Sequence, residues 1–107
     1  MKRIYLFCSA GMSTSMLATN MQQVAKQRAL DIEVKAFSHD KLGEIIATFH
    51  PDCILLGPQV KYLYDETMKE FGHVGIPIAV IDSADYGMMK GENVLKSAIK
   101  LMRAAGN

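Results

Sequence analysis

The sequence has little of what several classes of protein depend on. It has no tryptophan, three prolines and two cysteines among 107 residues. The two cysteines, Cys8 and Cys53, are too few for a disulfide framework, and they lack the short spacing of a zinc site. We therefore expect two free thiols, and the role of each depends on its own surroundings.

An excess of charge of one sign is also missing. Twelve basic residues stand against eleven acidic ones, and the formal net charge is +1. Because lysine and arginine are scattered, no basic stripe predicts a nucleic-acid surface. The histidines, His39, His50 and His73, have no spacing typical of metal ligands. We expect neither a metal site nor a cofactor.

Long hydrophobic runs are absent as well. No apolar run approaches the ~20 residues that span a bilayer. The run 4–7, which follows two basic residues, is too short for a signal peptide. We expect a cytoplasmic protein without direct membrane insertion, with residues 1–107 forming a single domain.

Short apolar runs alternate with segments of helical periodicity. The runs are 4–7, 32–37, 53–56 and 78–81, and the one-sided helical segments are 13–29, 42–49, 59–71 and 94–105. Continuously apolar strands separated by helices are typical of a parallel sheet covered on both faces. The predicted fold is α/β, a four-stranded parallel sheet flanked by helices on both faces.

Ligands of such sheets bind at the carboxyl ends of the strands, and Cys8 stands at the end of the first. A short loop follows, and Ser13 or Thr14 is a suitable N-cap for the next helix. A strand that turns through such a loop into a helix points several N–H groups at one place, where the helix dipole favours an anion. A thiolate is an anion, and the same groups can hold a phosphoryl group.

Cys8 is therefore predicted to be a nucleophile in a phosphate-sized loop. The loop supplies backbone N–H groups and hydroxyl donors from seven residues: Ser9, Ala10, Gly11, Met12, Ser13, Thr14 and Ser15. Cys53 begins the third apolar run, so it is predicted to be a core residue at the opposite end of the sheet.

The residue type six positions after Cys8 helps to distinguish a protein that transfers a phosphoryl group from one that hydrolyses it. Cysteine phosphatases have an arginine there, which clamps the phosphate and stabilises the transition state. In this sequence Thr14 occupies the position, and no arginine lies between Arg3 and Arg28. Because a phosphocysteine here receives less help toward attack by water, the loop is predicted to transfer a phosphoryl group.

The stretch 4–15, IYLFCSAGMSTS, closely resembles the start of enzyme IIB components of the phosphoenolpyruvate-dependent sugar phosphotransferase system, of the lactose/cellobiose (chitobiose) type. Further matches are LLGPQV at 55–60 and IDS at 81–83, followed by Tyr86 and Gly87. The resemblance implies a fold like that of low-molecular-weight tyrosine phosphatases. It also implies a phosphotransferase that acts as a cytoplasmic phosphocarrier.

In that family the cysteine that matches Cys8 takes a phosphoryl group from a phosphohistidine of the IIA component. It passes the group to a sugar bound by the membrane-embedded IIC component during uptake. The resemblance thus implies two protein partners, transient work at the inner face of the plasma membrane, and a β-linked disaccharide such as cellobiose, chitobiose or lactose.

Further residues are predicted to lie at the rim of the site or to contact partners. Met16 flanks the loop together with Met12, and the two form an apolar collar for docking. Pro58 suits the first turn after the third strand, and Gln59 extends from there toward a phosphate or a partner.

The segment after the fourth strand supplies the rest of the predicted rim. Asp82 is predicted to cap the next turn, since a carboxylate beside a phosphoryl group would repel it. Tyr86 and Gly87 are predicted to form a loop that closes over the rim.

Three other functions remain open. A hydrolase of the low-molecular-weight cysteine phosphatase type is disfavoured by Thr14. A redox thiol protein would require a resolving cysteine, and the only candidate, Cys53, is expected at the other end of the sheet. A noncatalytic binding module would use the loop after Cys8 as a simple turn.

Overall fold

The computed structural model describes residues 1–9, 12–72 and 75–106, and of residues 12 and 13 it describes the backbone only. Within these ranges four strands form one sheet: β1 (Lys2–Cys8), β2 (Ile32–Ser38), β3 (Cys53–Leu56) and β4 (Ile78–Val80). The strand order is β2-β1-β3-β4, and every pairing is parallel. This confirms the predicted parallel sheet and places β1 in its interior.

Helices connect the strands: α1 (Met12–Gln27), α2 (Leu42–Phe49), α3 (Tyr64–Phe71), α4 (Ser83–Gly87) and α5 (Gly91–Ala104), with 3-10 segments at His39–Lys41 and Pro58–Leu63. The prediction of one helix over 59–71 is wrong, because a 3-10 segment with non-helical torsion angles at Val60 precedes α3.

The predicted loop at Tyr86 and Gly87 is also wrong, because both residues belong to α4. The carboxylate of Asp82 accepts hydrogen bonds from the N–H groups of Ala84 and Asp85 at 2.9 and 3.1 Å. These bonds satisfy free donors at the start of a helix and so favour a helical turn. The predicted capping role of Asp82 is therefore confirmed.

The strand side chains alternate between two hydrophobic clusters, one on each face of the sheet. Ile4 and Leu6 pack with residues of α1 and α5 on one face. Tyr5 and Phe7 pack on the other face, against α2 and the segment around α3. The helices thus cover both faces, as predicted. Cys8 continues the alternation of Ile4 and Leu6, so its side chain belongs to the face that α1 covers.

Helices α1 and α5 come close together at Gly91, the first residue of α5. A Cβ at this position would collide with Asn20 Oδ1 and would lie 3.0 Å from the backbone nitrogen of Met21. We expect Gly91→Ala to lower the free energy of unfolding by about 1–3 kcal/mol, because the backbone of α1 has to shift. Urea unfolding measures the change.

Gly87→Ala in α4 is the matched control, since a Cβ there meets no atom within 4 Å. Its free energy of unfolding should stay within about 0.5 kcal/mol of the wild-type value. Equal unfolding midpoints for the two variants would show that α1 and α5 are not closely packed at Gly91.

Candidate functional site

The carboxyl ends of the strands meet at one edge of the sheet, as the parallel arrangement requires. Cys8 at the end of β1 is in register with Ser38 at the end of β2. The N–H of Gly57, directly after β3, donates to the carbonyl of Phe7 at 2.8 Å. Cys8 is 1% exposed.

Gly57 brings the turn after β3 directly against Cys8. A Cβ on Gly57 would lie 3.3 Å from Cys8 Cβ and 2.7 Å from Gln59 Oε1. Pro58 opens the 3-10 segment, as its fixed backbone angle predicts. Gln59 therefore lies close to the backbone beside Cys8, and a side chain at position 57 would displace it.

The hydroxyl of Tyr86 joins two other predicted site residues. Gln59 Nε2 donates to Tyr86 Oη at 2.7 Å, and Thr14 Oγ1 lies 3.0 Å from the same oxygen. Thr14 is fully buried in the first turn of α1, whereas the Gln59 side chain is exposed. The sequence identifies all three residues as candidates, but it does not predict that they are in contact.

The predicted phosphate loop is described in part. Ala10, Gly11 and the side chains of Met12 and Ser13 lie outside the described residues. The helix begins at Met12, so the prediction that Ser13 or Thr14 is its N-cap is wrong. Thr14, the third residue of α1, instead pairs with Tyr86.

The remaining predicted loop and collar residues lie at the surface. Ser9 and Ser15 are exposed, and Met16 is 58% exposed. An exposed methionine of this size offers apolar area to another protein. Of the two methionines in the predicted apolar collar, the side chain of Met16 is the one that the structure describes, and it is exposed.

No arginine is placed at this edge of the sheet. Arg3 lies at the amino end of β1 and donates to the carbonyl of Phe49 at 2.5 Å. Arg28 pairs with Glu92, and it lines one surface groove with Arg103 of the last turn of α5. These are the three arginines of the sequence. The clamp of a cysteine phosphatase is therefore missing in space as well as in sequence.

Cys53 lies away from the site, as predicted. It is in register with Ile4, four residues before Cys8 along β1. At about 3.3 Å per residue this separates the two cysteines by ~13 Å. A disulfide requires Cα atoms within about 7 Å. Both cysteines are free and buried, so Cys53 is not placed to resolve an oxidised Cys8.

Cys53 gives the protein a specific sensitivity to alkali. Burial, with a smaller contribution from Asp52, raises the pKa of its thiol from 9.0 to about 12. The folded state therefore keeps a proton between pH 9 and 12 that the unfolded state has lost. The stabilisation is complete below pH 9 and declines by up to about 1.4 kcal/mol per pH unit above it.

We expect Cys53→Ala to show a shallower loss of stability across this window in urea unfolding at pH 8–11. Burial and a hydrogen bond to Glu33 likewise raise the pKa of Tyr5 to about 12, but that contribution is common to both proteins. Equal pH slopes would contradict the assignment of this sensitivity to Cys53.

Neither a metal site nor a membrane-spanning segment is found in the described part of the chain. No three His, Cys, Asp or Glu side chains within 1–9, 12–72 and 75–106 are grouped so as to hold a metal ion. Among the same residues, no helix combines the length and apolar character needed to cross a bilayer.

Comparison with known proteins gives consistent matches over nearly the whole chain. Residues 3–97 match the family described as PTS system, Lactose/Cellobiose specific IIB subunit. The galactose-specific EIIB component of Lactococcus lactis subsp. cremoris (strain MG1363) is 42% identical over 104 residues, 94% of this chain and 96% of that protein. The cellobiose-specific EIIB component of Lactococcus lactis subsp. lactis (strain IL1403) has the same identity and coverage.

The fold also matches that of a solved relative. The solution structure of the cellobiose-specific phosphotransferase IIB component from Borrelia burgdorferi aligns with a TM-score of 0.79 and 35% sequence identity. The alignment covers 97% of this chain and 94% of that one. The similarity therefore includes both the sheet and the edge that holds Cys8.

Proposed function

The chain belongs to the lactose/cellobiose-specific IIB subunits of the phosphotransferase system, and from this premise we propose that Cys8 carries the phosphoryl group. Subunits of this family are phosphotransferases for cellobiose- and lactose-type sugars, and they work with IIA and IIC components.

The position of Cys8 is the observation that carries the proposal. Cys8 ends β1 at the carboxyl edge of the sheet, close to the first turn of the 16-residue helix α1. The amino end of a helix favours a negatively charged group such as a thiolate or a phosphoryl group. Cys53, the other cysteine, is fully buried about 13 Å away. Only Cys8 combines a thiol with this setting.

The first proposed step moves the phosphoryl group from nitrogen to sulfur. The Cys8 thiolate attacks the phosphorus of a IIA phosphohistidine, so that an S–P bond forms while the N–P bond breaks. The electron pair of the N–P bond returns to the imidazole, which takes up the proton that the thiol has lost. The loop Ser9 to Ser15 is proposed to hold the phosphoryl oxygens through its N–H groups and hydroxyls.

The second proposed step transfers the group to a sugar bound by IIC. A sugar hydroxyl attacks the phosphorus, the S–P bond breaks, and sulfur leaves as a thiolate that can accept the hydroxyl proton. We propose a β-linked disaccharide, such as cellobiose, chitobiose or lactose. Equal identity to a galactose-specific and a cellobiose-specific component supports the view that the sugar is selected by the membrane partner.

In this proposed cycle the protein is a single cytoplasmic domain, residues 1–107. It binds transiently at the inner face of the plasma membrane. Met16 is proposed to contact the two partners in turn, since its exposed side chain flanks the site. One surface that serves two partners requires modest contact area and fast release.

The fate of a loaded phosphoryl group distinguishes a carrier from a hydrolase. The protein is phosphorylated with phosphoenolpyruvate, enzyme I, the histidine phosphocarrier and a cellobiose-type IIA protein, and is then separated from them. One portion is kept in buffer and another is mixed with cellobiose and membranes that contain a cellobiose-type IIC. We expect phosphate to stay on the protein in buffer and to appear as sugar phosphate with the membranes. Equal release of inorganic phosphate in both portions would favour the phosphatase alternative.

A further inference from the structure

Three segments of the chain meet at a single hydroxyl group at the edge of the sheet. Tyr86 Oη in α4 accepts a hydrogen bond from Gln59, which follows β3, and pairs with Thr14 in α1. Thr14 occupies the position, six residues after Cys8, at which a cysteine phosphatase has its arginine. The protein therefore uses this position for an internal contact.

From this contact we infer that Tyr86 is a positioning residue for phosphoryl transfer, an inference that rests on the proposed function of Cys8. The Tyr86 hydroxyl fixes the first turn of α1 through Thr14. The N–H groups at the start of α1 are thereby held toward the end of β1, where Cys8 would carry the phosphoryl group. Preorganised donors stabilise a transition state more than mobile ones do.

Burial makes the contact valuable for Thr14. Its side chain is fully buried, and a buried hydroxyl without a partner is costly. Among the described residues, the hydrogen-bond partner of Thr14 Oγ1 is Tyr86 Oη, at 3.0 Å. Removal of the phenol oxygen takes away this hydrogen bond, and with it a tie between the first turn of α1 and helix α4.

Tyr86 itself is firmly held. Its N–H donates to the carbonyl of Asp82 at 2.9 Å, and the Asp82 carboxylate caps the same helix. Asn93 of α5 donates to Asp85 at 3.2 Å, which links α4 to the next helix. The ring of Tyr86 packs against the cluster between the sheet and helices α1 and α5. These contacts hold the Tyr86 hydroxyl in position. Asp82 contributes by capping the helix that carries Tyr86.

Single-turnover phosphorylation by a phosphorylated cellobiose-type IIA protein tests the inference. Tyr86→Phe keeps the ring and removes only the oxygen. We expect the maximal rate of Cys8 phosphorylation to fall about tenfold or more, equivalent to ~1.4 kcal/mol. The IIA concentration at half-maximal rate should stay unchanged, because the surface seen by the partner is retained. Tyr62→Phe is the matched control, since this tyrosine is 72% exposed.

A double-mutant cycle shows whether Tyr86 acts through Thr14. Thr14→Val removes the other hydroxyl at nearly constant volume and should slow phosphorylation to a similar extent. Because both substitutions break the same contact, the double variant should be no slower than the slower single variant. Thr14→Ser keeps the hydroxyl and should restore most of the rate.

Each outcome of these measurements supports or overturns the inference. A rate for Tyr86→Phe equal to that of Tyr62→Phe, or additive effects in the double variant, would overturn it. Should Tyr86→Phe fail to fold, the pair Thr14→Val and Thr14→Ser decides, and equal rates for that pair would be the contrary result. Failure of wild-type Cys8 to accept phosphate would instead overturn the proposed function.

Discussion

Replacement of Cys8 by serine is expected to reduce sugar phosphorylation by a reconstituted phosphotransferase system by on the order of a thousandfold or more. The change exchanges one atom, so the packing at the end of β1 is nearly preserved. A serine hydroxyl is not ionised near neutral pH, so it is a far weaker nucleophile than a cysteine thiolate.

Cys53→Ala is the matched control for this experiment. It removes the second thiol at a fully buried position, and it should cost stability while leaving the transfer rate per folded molecule near the wild-type value. Sugar phosphorylation is measured with phosphoenolpyruvate, the upstream proteins and membranes that contain IIC. Retention of a tenth or more of the wild-type rate by Cys8→Ser would exclude Cys8 as the essential acceptor.

Gly57→Ala is expected to slow phosphoryl transfer by about 10- to 100-fold while the fold is retained. The backbone at Gly57 has φ −63° and ψ 153°, which alanine adopts without strain. The added Cβ would lie 3.3 Å from Cys8 Cβ and 2.7 Å from Gln59 Oε1. The methyl group thus pushes on Cys8 and displaces Gln59 from its place beside Tyr86. Small displacements of a reacting group can cost this much in rate.

Gly43→Ala in α2 is the matched control for Gly57→Ala. Its new Cβ would meet the ring of Phe71 at 3.5 Å, which is ordinary van der Waals contact. We expect it to keep the wild-type transfer rate, and circular dichroism on heating should show both variants to be folded. A wild-type rate for Gly57→Ala would mean that the turn after β3 does not constrain Cys8.

The sheet could be predicted because its signals are local. The runs that form β1 and β3 are continuously apolar over residues 4–7 and 53–56, and such runs are covered on both faces in parallel sheets. The bounds were less predictable: β1 extends to Lys2 and Cys8 because it pairs with β2 along its whole length. The sequence does not predict helix α4, because its five residues show no clear periodicity, although the capping role of Asp82 could be predicted.

The placement of candidate residues at one edge of the sheet could be predicted, but the contacts between them could not. Cys8, Gln59 and Tyr86 each follow or end a strand, and parallel strands bring such residues to one edge. That Tyr86 bonds to both Thr14 and Gln59 depends on the angles at which α1 and α4 pack, and the sequence does not encode these locally.

The mass of the intact protein after incubation with the phosphoenolpyruvate-driven relay and a cellobiose-type IIA protein tests the central claim most directly. The account predicts one phosphoryl group on wild type and on Cys53→Ala, located by fragmentation to Cys8, and none on Cys8→Ser. A phosphoryl group retained by Cys8→Ser, or found on any other residue of the wild type, would contradict the account.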